Sequence, residues 1–154
     1  MVTADQLARF PVFGHLTAAQ RTSVAGVARE CSYADGTRLF REGDPATGCW
    51  VIRSGQVALG TSVPGRGQVV VQTLHEPDVV GWSWLVPPYR WSFTATTVGA
   101  AQAIAFDAVR LRTLTRRDPT LCCGLLLGLF EAVLPRLQGT RARLLDLYGS
   151  SRDR

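Results

Sequence analysis

Three patterns of hydrophobic and polar positions follow one another along the chain. In the first 29 residues, two short helical patterns each begin with a capping box, Thr3 with Gln6 and Thr17 with Gln20. Apolar positions at helical spacing extend the second pattern to about Ala28. We therefore expect two short helices before the main body of the domain.

Residues 30–106 have a different pattern, in which short apolar segments alternate with glycine turns. The predicted strands are ECSY, TRLF, WVIRS, QVALG, QVVVQTL, DVVG, FTATT and AQAIAF. Turns such as Asp35-Gly36 and Pro64-Gly65 separate them, and strands of this length with such turns are typical of small antiparallel barrels or sandwiches. This region is predicted to be the β-body of a mainly β fold.

Helical spacing returns in residues 107–148. Asp107 is a suitable N-cap, and Asp118-Pro119 should open a longer helix that ends near Tyr148. Thirty helical residues span about 45 Å, and Pro135 is expected to kink the helix because its ring displaces a backbone hydrogen bond. Leucines on more than one face indicate two partners, the β-body and the same helix of a second copy, although packing on its own domain alone is the alternative.

Length and composition predict one soluble domain over residues 1–154. The longest apolar run, residues 121–134, is interrupted by Glu131, and the N-terminus lacks a signal-peptide pattern, so we expect a cytoplasmic protein with no membrane span. The formal net charge is +5, and all 17 basic residues are arginines scattered along the chain, which favours a solvated basic surface over a nucleic-acid footprint. The four cysteines have no metal-ligand spacing, and no catalytic motif is present, so neither a metal site nor an enzyme is predicted.

Three of the four tryptophans lie in the segment GWSWLVPPYRWSF, residues 81–93, which we call the tryptophan turn. Each indole needs a large apolar niche and a partner for its N–H group. Their concentration around Pro87-Pro88 predicts a pocket-forming turn.

The run LFREGDPATGCWVIRSGQVAL, residues 39–59, resembles the cyclic nucleotide-binding domain of CRP/FNR-type bacterial regulators. PVFGHLTAAQRTSVA, HEPDVVG and AIAFDAVRLRTL are similar to other parts of that family, so the resemblance covers about residues 10–147. It implies a β-roll, jelly-roll-like, with N-terminal helices, a phosphate-binding turn, and a long C-terminal helix that also forms a dimer seam.

In that family the phosphate-binding turn begins Gly-Glu and ends Arg-Ser/Thr-Ala. The carboxylate accepts the ribose 2′-hydroxyl, and the guanidinium neutralises the cyclic phosphate. Here Gly81 keeps the glycine, Trp82 stands at the glutamate position, and Trp91 stands at the arginine position. Ser92 matches the Ser/Thr position and Phe93 replaces the alanine. A shift of one residue across Pro87-Pro88 would instead put Arg90 at the arginine position.

The ligand-binding residues predicted from this match are Gly81, Trp82, Ser83, Trp84, Arg90, Trp91, Ser92 and Phe93. Three interpretations stay open at this stage. The turn encloses a pocket for a small aromatic or nucleotide-like ligand, or the indoles fill the pocket and no ligand binds, or altered cyclic-nucleotide binding persists.

The sequence thus predicts a non-enzymatic ligand-sensing or regulatory module that does not bind cAMP in the usual pose. A ligand-free structural or adaptor protein is the alternative. The sequence ends six residues after Tyr148, so we expect no helix-turn-helix domain, no direct DNA binding, and output through a homodimer or a protein partner.

Overall fold

The computed structural model describes residues 1–149, and Ser150 to Arg154 lie outside the described residues. Four helices flank six antiparallel strands. The helices are α1 (Ala4–Ala8), α2 (Ala18–Ala25), α3 (Ala108–Arg117) and α4 (Pro119–Gly149). The strands are β1 (Ala28–Tyr33), β2 (Arg38–Phe40), β3 (Gly48–Val63), β4 (Gly67–His75), β5 (Val79–Val80) and β6 (Thr94–Asp107). Short 3-10 turns occupy Pro11–Phe13 and Ser83–Leu85.

The helix starts follow the capping signals in the sequence. Thr3 and Thr17 form both predicted capping boxes, and the Asp107 side chain accepts a hydrogen bond from the backbone N–H of Arg110. The second helix ends at Ala25 and not near Ala28, because the chain turns at Gly26 and Ala28 already pairs with Phe106 as the first residue of β1.

Two long strands organise the β-roll. β3 and β6 pair antiparallel from Gly48 opposite Asp107 to Gly60 opposite Thr94, with two register shifts along the way. β1 and β2 pair with the free edge of β6, while β5 and β4 pair with the free edge of β3. The predicted β-roll with N-terminal helices and a long C-terminal helix is confirmed.

The long helix α4 lies across the Pro11–Phe13 turn. A Cβ atom added at Gly124 would approach a Leu16 methyl group to 2.8 Å, and one added at Gly128 would overlap the backbone carbonyl of Val12. Glycines four residues apart therefore allow helix and turn to meet backbone to backbone. His15 Nε2 lies 2.8 Å from Glu131 Oε1 at the edge of this contact.

α4 contains 31 residues, about 46 Å of helix, and continues without interruption through Pro135. The predicted kink there stays a prediction. By length and composition α4 is the one helix within residues 1–149 that could span a membrane. This is weak evidence for a span, since Leu121, Leu125 and Leu129 of the same helix are buried in the domain core.

Gly128→Ala is expected to lower the free energy of unfolding by about 2 kcal/mol, because the added methyl group forces α4 away from the Pro11–Phe13 turn. The matched control is Gly139→Ala, where a Cβ atom meets nothing within 4 Å. It should raise stability by up to about 1 kcal/mol, because alanine favours helix more than glycine does. Urea unfolding followed by circular dichroism measures both. Equal effects in the two variants would contradict this packing.

Candidate functional site at the tryptophan turn

Both ends of the tryptophan turn are fixed to the β-roll. The turn leaves β5, which pairs with Trp50 and Val51 of β3. At its far end the backbone N–H of Trp91 donates to the Asp44 carbonyl at 3.0 Å, and the Trp91 carbonyl accepts from Gly43 N–H at 2.8 Å. The segment is therefore held against the Gly43-Asp44 turn.

The Trp91 side chain fills the inner part of this site. Its ring is 4% exposed and stacks on Phe40 with centroids 3.8 Å apart and planes 14° apart. Phe40 in turn lies 5.5 Å from the ring of Trp50. Gly81 makes room for the indole: its φ is +83°, and a Cβ atom there would approach the Trp91 ring to 2.6 Å. The absence of a side chain at Gly81 thus leaves room for the Trp91 indole.

A cavity of about 100 Å³ remains beside Trp91. It is lined by Phe40, Leu59, Gly81, Trp82, Ser83, Trp91, Ser92 and Phe93. Six of the eight residues predicted from the sequence are among them. These eight lining residues include no carboxylate and no guanidinium, so the walls offer aromatic faces and two serines only.

Trp84 and Arg90, the other two predicted residues, do not line this cavity. Trp84 is 2% exposed and belongs to the main hydrophobic core, because the Ser83–Leu85 turn directs its side chain inward. Arg90 Nη1 donates to the Gly43 carbonyl at 2.8 Å. Its guanidinium is therefore held at the Gly43 carbonyl, outside the lining of the cavity.

Cys49 lies in the same core as Trp84. Burial raises the pKa of the Cys49 thiol to about 12, and the nearby Trp84 side chain opposes this only in part. The thiol is therefore protonated at neutral pH and behaves as a small buried hydrophobe.

Trp82 stands between the cavity and a larger surface groove. Its indole lines both, and the guanidinium of Arg136 from α4 lies 5.1 Å from its ring centroid. The groove, about 900 Å³, runs between the tryptophan turn, α3 and the first half of α4. Sequence reasoning missed Arg136, since its spacing in a helix gives no sign of the turn it reaches.

A second arginine holds the outer part of the turn. Arg112 of α3 places its guanidinium carbon 5.0 Å from the Tyr89 ring centroid and donates to the Trp84 carbonyl at 3.1 Å. Its hydrogen bond goes to the backbone of the turn, so we infer that it positions the turn. Over residues 1–149, no group of three or more histidines, cysteines, aspartates or glutamates is arranged to hold a metal ion.

The fold and this site define a class of protein, and comparison with known families identifies it. The family model of the cyclic nucleotide-binding domain matches residues 30–118, so the chain belongs to that family. Its structural neighbours are cyclic nucleotide-binding proteins of the CRP/FNR type. No curated protein sequence matches the chain.

Three solved structures illustrate the similarity. A Geobacter metallireducens GS-15 protein described as cyclic nucleotide-binding gives a TM-score of 0.81 at 25% identity, over 89% of this chain and 99% of that chain. The N-terminal domain of a transcriptional regulator from Streptomyces coelicolor A3(2) gives 0.67 at 25% identity, over 90% and 94%. A cyclic nucleotide-binding domain from Methylobacillus flagellatus KT gives 0.78 at 15% identity, over 95% and 86%, and shows the shared fold alone.

Trp91→Ala is expected to lower the free energy of unfolding by about 3 to 5 kcal/mol, the usual cost of truncating a large buried aromatic side chain. Trp82→Ala is the matched control and should cost clearly less, because Trp82 is only partly buried. Guanidinium unfolding followed by circular dichroism gives both values. A larger loss for Trp82→Ala than for Trp91→Ala would contradict the packing described above.

Proposed function

We propose that this chain is a non-enzymatic regulatory module whose ligand pocket has been closed to cyclic nucleotides by Trp91. The burial of Trp91 against Phe40, in the space where the family places a phosphate-binding arginine, is the observation that carries the proposal. The family consists of regulatory domains that sense ligands. Compared with the family, the proposal changes which ligand enters the pocket and which part of the protein transmits the regulatory signal.

Size and charge both oppose cyclic-nucleotide binding in the usual pose. Pockets for drug-sized ligands measure about 300 to 1,000 Å³, whereas the cavity beside Trp91 measures about 100 Å³. Each lost charge-assisted contact costs about 1.5 to 3 kcal/mol. Losing the glutamate and the arginine together weakens binding by roughly two to four powers of ten.

The same cavity suits a small uncharged aromatic molecule. Its walls are aromatic faces, and Ser83 and Ser92 are the polar residues that line it. A dry apolar cavity of about 150 Å³ is known to take benzene in another protein. We therefore propose a single-ring aromatic ligand, with a hydroxyl group that bonds to a serine, for this site.

A ligand-free adaptor is the second candidate, and the stacking of Trp91 on Phe40 favours it. The indole is already satisfied by aromatic contacts on the Phe40 side, so the turn needs no ligand to stay folded. In both candidates the β-roll is a scaffold, and α4 transmits the regulatory signal to other proteins.

The exposed face of α4 supports a homodimer. Large side chains recur at alternating spacings of three and four residues, the pattern of a two-stranded coiled coil. They are Leu127, Phe130, Leu134, Leu137, Leu144 and Tyr148, each at least 37% exposed in the single chain. Arg141 occupies the remaining seam position. We call these seven residues the α4 seam and propose that it pairs in parallel with the same seam of a second copy.

We propose that the dimer regulates other proteins by direct contact. This takes place in the cytoplasm, and residues 1–149 do not bind DNA directly.

A polar residue at one seam position of a coiled coil sets register and oligomeric state at a cost in stability. We propose that Arg141 has this role here, because two guanidinium groups that face each other in the dimer repel and lower the stability of the helix pair.

Calorimetric titration with cAMP, cGMP and phenol tests the ligand proposal. We expect saturable binding of phenol and no saturable binding of either cyclic nucleotide up to about 100 µM, given the lost contacts. Trp91→Arg combined with Trp82→Glu restores the two family side chains and should recover cAMP binding. Submicromolar cAMP binding by the unaltered chain would contradict the proposal. If phenol does not bind, the aromatic-ligand proposal fails and the ligand-free adaptor is the supported function.

Oxidation with diamide tests the dimer. Cys123 is exposed and lies four residues before Leu127 and seven residues before Phe130, which continues the seam spacing, so it should face its own copy in a parallel pair. We expect a disulfide-linked dimer on a non-reducing gel, because facing cysteines come within bonding distance. Cys123→Ser should abolish the cross-link and Cys122→Ser should retain it. A monomer mass by light scattering, or a cross-link that survives Cys123→Ser, would contradict a parallel α4 dimer.

A further inference from the structure

The contact between α4 and the body of the protein ends at one residue, Arg136. Every residue from 137 to 149 is exposed, whereas Arg136 is the last partly buried residue of the helix. It follows Pro135 directly, and proline removes one hydrogen bond from the helix ladder at that point. The contacts of Arg136 therefore act at the start of the exposed second half of α4.

The Arg136 side chain is only 10% exposed and lies against the base of the tryptophan turn. Its Nη2 donates to the Val79 carbonyl at 2.9 Å and lies 3.4 Å from Asp78 Oδ1. Its guanidinium covers the Trp82 ring at 5.1 Å. The three contacted residues lie between three positions before the start of the turn and its second residue, so Arg136 touches the segment that shapes the cavity.

This buried cation is incompletely satisfied. Nε and Nη1 are buried and have no hydrogen-bond partner within the part of the chain that the structure describes. Burial lowers the pKa of the Arg136 guanidinium, and the nearby Asp78 carboxylate opposes that shift. A buried charge is sensitive to the loss of its partner, whereas replacing both members of a buried ion pair by apolar side chains is often neutral or stabilising. The Asp78 side chain is 28% exposed, so water can solvate its carboxylate when Arg136 is replaced.

We propose that Arg136 is a latch through which the tryptophan turn sets the position of the second half of α4. When the Trp82 ring and the Asp78 carboxylate are in place, they hold Arg136 and with it the start of residues 137–149. Any event that displaces Trp82 removes the aromatic partner of the buried guanidinium and weakens the contact that holds the start of residues 137–149. The latch links the cavity to the α4 seam, so it deepens the proposed regulatory function without depending on the identity of the ligand.

Hydrogen–deuterium exchange of the full chain, without any ligand, tests the latch. Asp78→Asn removes the charge and keeps an oxygen that can accept the His75 N–H bond, which measures 3.0 Å here. We expect it to speed amide exchange in residues 134–149 by about tenfold, and Trp82→Ala to act in the same direction. Arg136→Leu should leave exchange at or below the original rate, and Asp78→Asn with Arg136→Leu should match Arg136→Leu alone.

Glu76→Ala is the matched control, since Glu76 is an exposed carboxylate two positions before Asp78. It should leave the exchange of residues 134–149 unchanged. The latch is overturned if Asp78→Asn does not alter α4, if it speeds β3 and β6 equally, or if adding Arg136→Leu fails to reverse it. These outcomes are independent of the titrations and of the cross-link, so the latch and the proposed function fail separately.

Discussion

The stacking of Trp91 on Phe40 over Gly81 is the contact on which the rest of this site depends. With the ring centroids 3.8 Å apart and a glycine beneath, the indole occupies the depth of the pocket as part of the hydrophobic core. A side chain in that place stabilises the fold, whereas a guanidinium there would need a bound anion to offset its burial. A buried Trp91 therefore contributes to the stability of the β-roll itself, and under the proposed function the same contact limits which ligands fit the pocket.

In the proposed function, ligand binding and signal output no longer share one turn. The family resemblance implies a ligand held by charges in the turn, whereas here the guanidinium of Arg136, which comes from α4, lies over the Trp82 ring. Under the proposal, the turn is aromatic and this electrostatic contact joins the turn to the helix. Such an arrangement lets the position of α4 respond to the position of Trp82, because both residues are partly buried and two buried nitrogens of Arg136 lack a hydrogen-bond partner within residues 1–149.

The fold was predictable because its signals are local. The capping boxes at Thr3 and Thr17, and the glycine turns between short strands, specify their elements within a few residues. Six of the eight predicted site residues line the cavity for the same reason, since they sit in one short turn. Trp84 and Arg90 lie outside the lining of the cavity, and Arg136 was missed. Tertiary packing decides whether an indole points to the core or to a cavity. It also decides which residue of a long helix reaches a turn about 50 residues earlier in the chain. No local sequence pattern encodes this packing.

The most direct measurement of the central claim is a set of nuclear Overhauser contacts between the Trp91 and Phe40 rings, recorded with and without saturating cAMP. If Trp91 closes the pocket, the ring-to-ring contacts persist unchanged and no nucleotide proton contacts Trp82, Trp91 or Ser92. If the account is wrong, cAMP removes the Trp91–Phe40 contacts and its ribose or purine protons show contacts with the turn.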